Sequence, residues 1–281
     1  MHILTHITQK VNRVKILTNL LYCNIITVCF YILNLRERIE LVDVHCHILH
    51  GIDDGAGDLT DSLEMAQLAA ENGTKAIFAT PHCNMPGFFT NFWNSELEQR
   101  LSALQNAVKS RGIELTVYPG QEIYLADGFA QKLKKGELIT LNRSRYALVE
   151  LDFYERENEA YKKIESLVSE GYVPIAAHPE RYKFVGENPD AIAKLRRLGA
   201  LIQLNSGSLR GAFGTTPAKI AHAALLQESA DFVASDAHSQ YSRTPDLSQA
   251  HEYICENFSY EYAHVLFRTN PQRIINDDEI R

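Results

Sequence analysis

From residue 41 onward, seven short apolar runs alternate with longer amphipathic segments, and that alternation leaves few folds open. The runs at 41–46, 75–80, 114–119, 146–151, 173–177, 200–204 and 231–235 have the length and β-branched content of buried strands. Between them, 60–73, 94–111, 157–171, 187–199, 216–228 and 245–257 carry helical periodicity. Strand–helix–strand repetition of this kind predicts βαβ units and a parallel sheet. Seven strands in one chain favour a closed or nearly closed barrel over an open sheet. With no linker, repeat or biased stretch inside 41–281, the expectation is a single α/β domain over those residues.

Residues 1–40 do not share this pattern. They hold five basic and two acidic side chains, a charge of +3, which leaves −10 for 41–281 out of the total of −7. The run 16–35 is uncharged and, at 20 residues, long enough to span a bilayer as a helix. Asn19, Asn24 and Asn34 weigh against that reading, because amides in lipid need partners. No small-x-small cleavage site follows the run, so a signal peptide fits less well. Two readings stay open: a weak membrane segment, or translated upstream sequence. In the second, Arg36-Glu37-Arg38 reflects a purine-rich ribosome-binding site and the native product begins near Leu41.

The chemistry-bearing residues cluster by position. His45 and His47 fall at the end of the first strand, with Asp53 and Asp54 in the loop beyond. His82 ends the second strand, Glu122 follows the third and Glu150 ends the fourth. His178 ends the fifth, and Asp236 and His238 end the last. In a parallel barrel all strand C-termini open on one face, so residues far apart in sequence converge there. His-x-His and Asp-x-His on strands each put two ligands on one face, since side chains repeat every two residues. Imidazole and carboxylate without thiolate suit manganese, iron or zinc in a hydrolytic site. Taken alone, a strand-end histidine or glutamate is more often a hydrogen-bonded or solvated residue; the argument rests on the whole set falling in one register.

The stretches DVHCHIL, GIDDGAGD, ATPH, PGQEI, AHPERY, SGSL and SDAH, in this order, resemble the PHP (polymerase and histidinol phosphatase) family. More closely, they resemble its bacterial branch of manganese-dependent protein-tyrosine phosphatases encoded with capsule and exopolysaccharide genes. The similarity covers about 41–276, and it implies a distorted (β/α)7 barrel and three divalent ions. Manganese is the ion it implies first, with iron, zinc or cobalt as alternatives. By position, His45, His47, Glu122 and Asp236 would hold one ion. Glu122 would bridge to a second, completed by Glu150 and His178, and Asp54, His82 and His238 would hold a third. Arg181 and Arg243 match arginines that grip the phosphate, where a planar donor fork suits the chemistry. The four ligand carboxylates bring −4 against +6 from the ions, so a dianionic phosphate meets a locally positive pocket. Two departures stand out: His50 where proline is expected, and the aromatic GFFTNFW at 87–93 in place of a more polar loop.

The implied activity is metal-assisted hydrolysis of phosphotyrosine in the tyrosine kinase system controlling capsule synthesis. The partner that the resemblance implies is an autophosphorylating bacterial tyrosine kinase or its tyrosine-rich tail. A small-molecule phosphatase of histidinol-phosphate type is the runner-up on the same scaffold, and a silent binding partner of a capsule complex is the reading from another class. An exonuclease fits less well, because the acidic balance lacks the basic footprint of a nucleic-acid binder. The five cysteines include no C-x-x-C pair, which argues against a disulfide framework and for a reducing cytoplasm. None has an arginine six residues later, so a phosphocysteine route is not available.

Overall fold

The computed structural model describes residues 40–280, and the uncharged run at 16–35 lies outside them. Nine strands are found among the described residues, all paired in parallel. A three-stranded sheet has the order β1 (Leu41–Cys46), β2 (Thr74–Ala79), β4 (Thr116–Pro119). A six-stranded sheet runs β3 (His82–Cys83), β5 (Glu122–Tyr124), β6 (Tyr146–Glu150), β7 (Val173–Ala177), β8 (Leu201–Asn205), β9 (Phe232–Ala234).

The count exceeds the seven expected because two strands are interrupted. Ala79 pairs with Pro119 across β2 and β4, and His82 pairs with Glu122 across β3 and β5, so the register is the same on both sides of the break. Pro81 has no N–H to give the ladder, which explains the interruption in the first of the two strands. Its carbonyl still accepts from the Glu122 N–H at 3.1 Å. His82 and Glu122 therefore open second, shorter strand segments, where the sequence placed them at or beyond a strand end. At the far edge, Asp236 and His238 follow β9 rather than end it. There the Asp236 N–H donates to the His45 carbonyl (2.8 Å) and the His47 N–H to Ala237 (2.9 Å). Cys46 and Ala237 form a parallel bridge between the two segments.

The helices follow from local signals. Asp58 caps Leu59–Glu71 by accepting from the Thr60 and Asp61 amides, and Asn94 does the same for Ser95–Ser110. Ser95–Ser110 buries Leu97, Leu101, Leu104 and Val108, one stripe at helical spacing. On the strands, alternate residues Val42, Val44, Phe78, Leu148, Ile175 and Phe232 share one apolar cluster. Glu150 continues the face of Tyr146 and Leu148, so it ends a buried strand pointing to the same side. No helix among the described residues is long and apolar enough to cross a membrane.

Candidate metal centre

The nine histidines and carboxylates that the resemblance implies as ligands lie in one contiguous set. His47, Asp54, His82 and His238 bring ligand atoms within 4.8 Å of one another, as do His45 with Glu122 and His178, His45 with His47 and Asp236, and His82 with Glu122 and Glu150. The Nε2 atoms of His45 and His47 are 3.2 Å apart, and each lies 3.5 Å from Asp236 Oδ1. His178 Nε2 is 3.0 Å from Glu122 and 3.6 Å from Glu150. His238 Nε2 and His82 Nε2 approach Asp54 at 3.3 and 3.5 Å. All of these residues are buried except His82, which is partly exposed, and Asp54, which is open to solvent.

Backbone conformation contributes to the convergence. His178 and Asp236 both have positive φ, 36° and 50°. Such φ values are uncommon in residues other than glycine and concentrate at functional sites. Gly55 is required by close approach: a Cβ there would lie 2.2 Å from the His47 carbonyl oxygen. This is why the turn after His47 folds back tightly enough to put Asp53 and Asp54 beside it.

A hydrogen-bonded outer layer fixes the imidazoles. His45 Nδ1 bonds to Gln203 Oε1 at 2.9 Å, which leaves Nε2 facing the cluster. The Gln203 amide donates to Asn205 (2.8 Å), and the Asn205 amide donates to Asp236 Oδ2 (2.7 Å). His47 Nδ1 is held by Asp53 at 2.7 Å, and His238 Nδ1 by the Asp236 carbonyl at 3.0 Å. Asn205 is itself anchored, since its N–H donates to buried Glu180 at 2.9 Å. The sequence reading did not reach Gln203 and Asn205. Their signal was two polar residues, two apart, at the end of an otherwise apolar strand.

The donor set fits divalent cations. Burial and then the charge of Glu122 push the Glu150 carboxyl well above its usual range. Burial opposes ionisation of Glu122 and Asp236 as well, but neighbouring histidines, His45 foremost, hold both well below the usual carboxylate range. Burial lowers His178 to about 4, so it is a neutral donor. Imidazoles alone therefore do not supply enough positive charge to keep all these carboxylates ionised. One oxygen each of Glu122 and Glu150, His82 Nδ1 and His238 Nε2 are buried without a hydrogen-bond partner. Orphaned ligand atoms of this kind, buried beside one another, are what a cation satisfies.

Arg181 and Arg243 both reach this cluster. Their guanidinium nitrogens lie 3.3 and 2.6 Å from Asp236 Oδ2. Phe153 and Phe213 flank the Arg181 guanidinium at 4.7 and 4.4 Å from their ring centroids, and Phe213 also lies 5.9 Å from that of Arg243. Cys83, next to His82, is fully buried and points its thiol at the Glu122 carbonyl. Burial, with the charge of Glu122, pushes that thiol well above its usual range, away from nucleophilic thiolate.

Residues 41–276 match the family model described as "Capsular polysaccharide synthesis, CpsB/CapC". The chain belongs to the CpsB/CapC family. Among its relatives, tyrosine-protein phosphatase YwqE of Bacillus subtilis (strain 168) is 36% identical over 226 residues, 80% of this chain and 88% of that protein. Tyrosine-protein phosphatase CpsB of Streptococcus pneumoniae is 29% identical over 245 residues, 85% of this chain and all of that protein. A solved structure, from work on YwqE and CpsB as unique metal-dependent tyrosine phosphatases, superposes with a TM-score of 0.80 at 34% identity. It covers 86% of this CpsB/CapC chain and 96% of the solved one.

Proposed function

We propose that this CpsB/CapC protein is a metal-dependent protein-tyrosine phosphatase of the kinase system that controls capsular or exopolysaccharide synthesis. The observation that carries the reading is a buried cluster of imidazoles and carboxylates with two arginines at its edge, in a chain whose relatives are named tyrosine phosphatases. The wider kinship is the PHP superfamily. The two sheets are read as one distorted (β/α)7 barrel, with β2 and β3 as one strand and β4 and β5 as another. Residues 41–281 are its catalytic domain and 1–40 an extension. The protein acts in the cytoplasm on an autophosphorylating tyrosine kinase or its tyrosine-rich tail, and any membrane contact comes through that partner or through 1–40.

Three ions, manganese first, fit the residues. His45, His47, Glu122 and Asp236 would hold one, Glu122, Glu150 and His178 a second, and Asp54, His82 and His238 the third. When bound, such ions activate water and neutralise charge on the phosphoryl group. The chain does the rest. Gln203 and Asp53 hold His45 and His47 with Nε2 inward. Arg181 and Arg243 present planar forks to phosphoryl oxygens, and Phe153 and Phe213 keep the Arg181 fork in place.

The test is hydrolysis of a phosphotyrosyl peptide against histidinol phosphate, with and without manganese. The expected result is manganese-dependent turnover of the peptide in clear preference to histidinol phosphate. Iodoacetamide should have little effect, and Cys83→Ser should keep most of the activity. Preference for histidinol phosphate would favour a small-molecule phosphatase, and thiol sensitivity without metal dependence would overturn the mechanism.

A further inference from the structure

The three most exposed large apolar side chains among the described residues lie in segments that carry or adjoin residues of the metal cluster. Phe88, Tyr154 and Tyr241 are 79%, 79% and 84% exposed. Each lies in a segment close after cluster residues in the chain: Phe88 after His82, Tyr154 after Glu150, and Tyr241 between His238 and Arg243. The remaining exposed apolar side chains, among them Leu226 and Tyr260, lie on or beside outer helices.

None of the three rings hangs on a slack loop. Phe88 tips a turn closed by the Met85 N–H to Phe89 carbonyl bond (2.8 Å) and its reciprocal (3.1 Å). Tyr154 sits in a turn where Asp152 Oδ1 accepts from the Tyr154 amide (2.7 Å) and the Asp152 carbonyl accepts from Glu155 (2.9 Å). Tyr241 tips a loop closed by the His238 N–H to Arg243 carbonyl bond (2.8 Å), with Ser239 Oγ accepting from the Ser242 amide. Two of the turns are also anchored on the cluster. Phe89 stacks on His82 with ring centroids 5.6 Å apart, and Phe153 stacks on His178 at 5.9 Å. Rings carried on turns whose backbone is already fixed bind a partner without the cost of ordering a loop, and aromatic anchors dominate the energetics of interfaces.

We infer that Phe88, Tyr154 and Tyr241 form a docking rim for the polypeptide on either side of the phosphotyrosine. The inference rests on the phosphatase reading above and extends it to the substrate's flanks. A phosphate fixed at the cluster forces the attached chain out across these turns. The stretch 84–94 holds no charged residue, so the flanks it suits carry apolar or aromatic side chains rather than acidic ones. A small phosphate ester has no flanks and gains nothing from the rim.

The experiment compares wild type with the triple variant Phe88→Ser, Tyr154→Ser, Tyr241→Ser. The probes are a phosphotyrosyl peptide with tyrosine or leucine flanks, its serine-flanked counterpart, and free phosphotyrosine. All three changes are at exposed tips, so the fold and the metal content should be unaltered. The expected result is a KM for the apolar-flanked peptide raised about 5-fold or more, with kcat and the activity on free phosphotyrosine unchanged. The preference of wild type for apolar flanks should vanish in the variant. An unchanged peptide KM would overturn the rim, and so would an equal loss on all three probes. A wild type that fails on every phosphotyrosyl probe would overturn the phosphatase reading and the rim together, a result recognisable without the variant.

Discussion

Asp236→Ala and His178→Ala should each lower turnover of a phosphotyrosyl peptide at least about 10²-fold while leaving the circular dichroism of the fold in place. Asp236 is the most heavily engaged carboxylate in the cluster. One oxygen faces His45 and His47, and the other receives Asn205, Arg181 and Arg243. Alanine removes a proposed ion ligand and leaves two guanidinium groups without their shared acceptor. His178 contributes less charge, but with His82 it is one of two imidazoles that face both Glu122 and Glu150. Losing it takes a neutral nitrogen ligand from beside Glu150, the carboxyl that burial pushes furthest above its usual range. EDTA should silence wild type to a similar degree, and manganese should restore wild type but neither variant. Metal analysis of the purified proteins provides the second readout, with fewer ions in both variants. Near-wild-type activity in either would sink the ligand assignment.

The second large effect is expected from arginine-to-lysine changes. Arg181→Lys and Arg243→Lys keep a positive charge but lose the fork that can hold two phosphoryl oxygens in one plane. Metal content should be unchanged, because neither side chain is among the proposed ion ligands. The expected loss in kcat/KM is about 10-fold or more, equivalent to about 1.4 kcal/mol of transition-state contact. Arg181 should matter more, since it lies between the rings of Phe153 and Phe213, whereas Arg243 is more exposed and touches Phe213 alone. A lysine ammonium cannot stack between those rings in the same way. Inorganic phosphate should also inhibit both variants more weakly. If both variants matched wild type in kcat/KM and in phosphate inhibition, the arginines would be ordinary surface charges.

Much of this molecule was legible in its sequence, for reasons that differ by element. Strands β1 and β7 were placed at their observed limits because each is a short, buried apolar run bounded by a sharp change in character. Strands β3 and β5 were missed because Pro81 and Gly120 look like strand endings, and only the shared register with the partner strand shows that pairing resumes. The short helix Phe129–Lys135 is bounded by glycines with positive φ and was too brief for periodicity to declare. In the site, His and carboxylate types announced themselves through strand-end spacing. Gln203 and Asn205 did not, because neutral amides carry no chemical signature until a partner is seen. Phe153 and Phe213 lie in irregular segments, where no period links them to the arginine they enclose.

The meeting of β1 with the segment after β9 has a consequence for the life of the protein as well as its chemistry. Cys46 and Ala237 are 191 residues apart in the chain, and their neighbours are joined by few backbone bonds. Asp43 reinforces the seam by accepting from the Ser235 amide at 3.0 Å. An ion held jointly by His45, His47 and Asp236 would cross-link the end of β1 to the segment after β9. By closing so long a loop it would act much as a disulfide does on the unfolded ensemble. Starvation for metal would then loosen the seam between β1 and residues 235–238 and open it to proteases. Limited proteolysis with and without EDTA reads this directly, and equal digestion in the two conditions would rule it out. Metal supply would thus set the half-life of the protein in the cell alongside its rate of work.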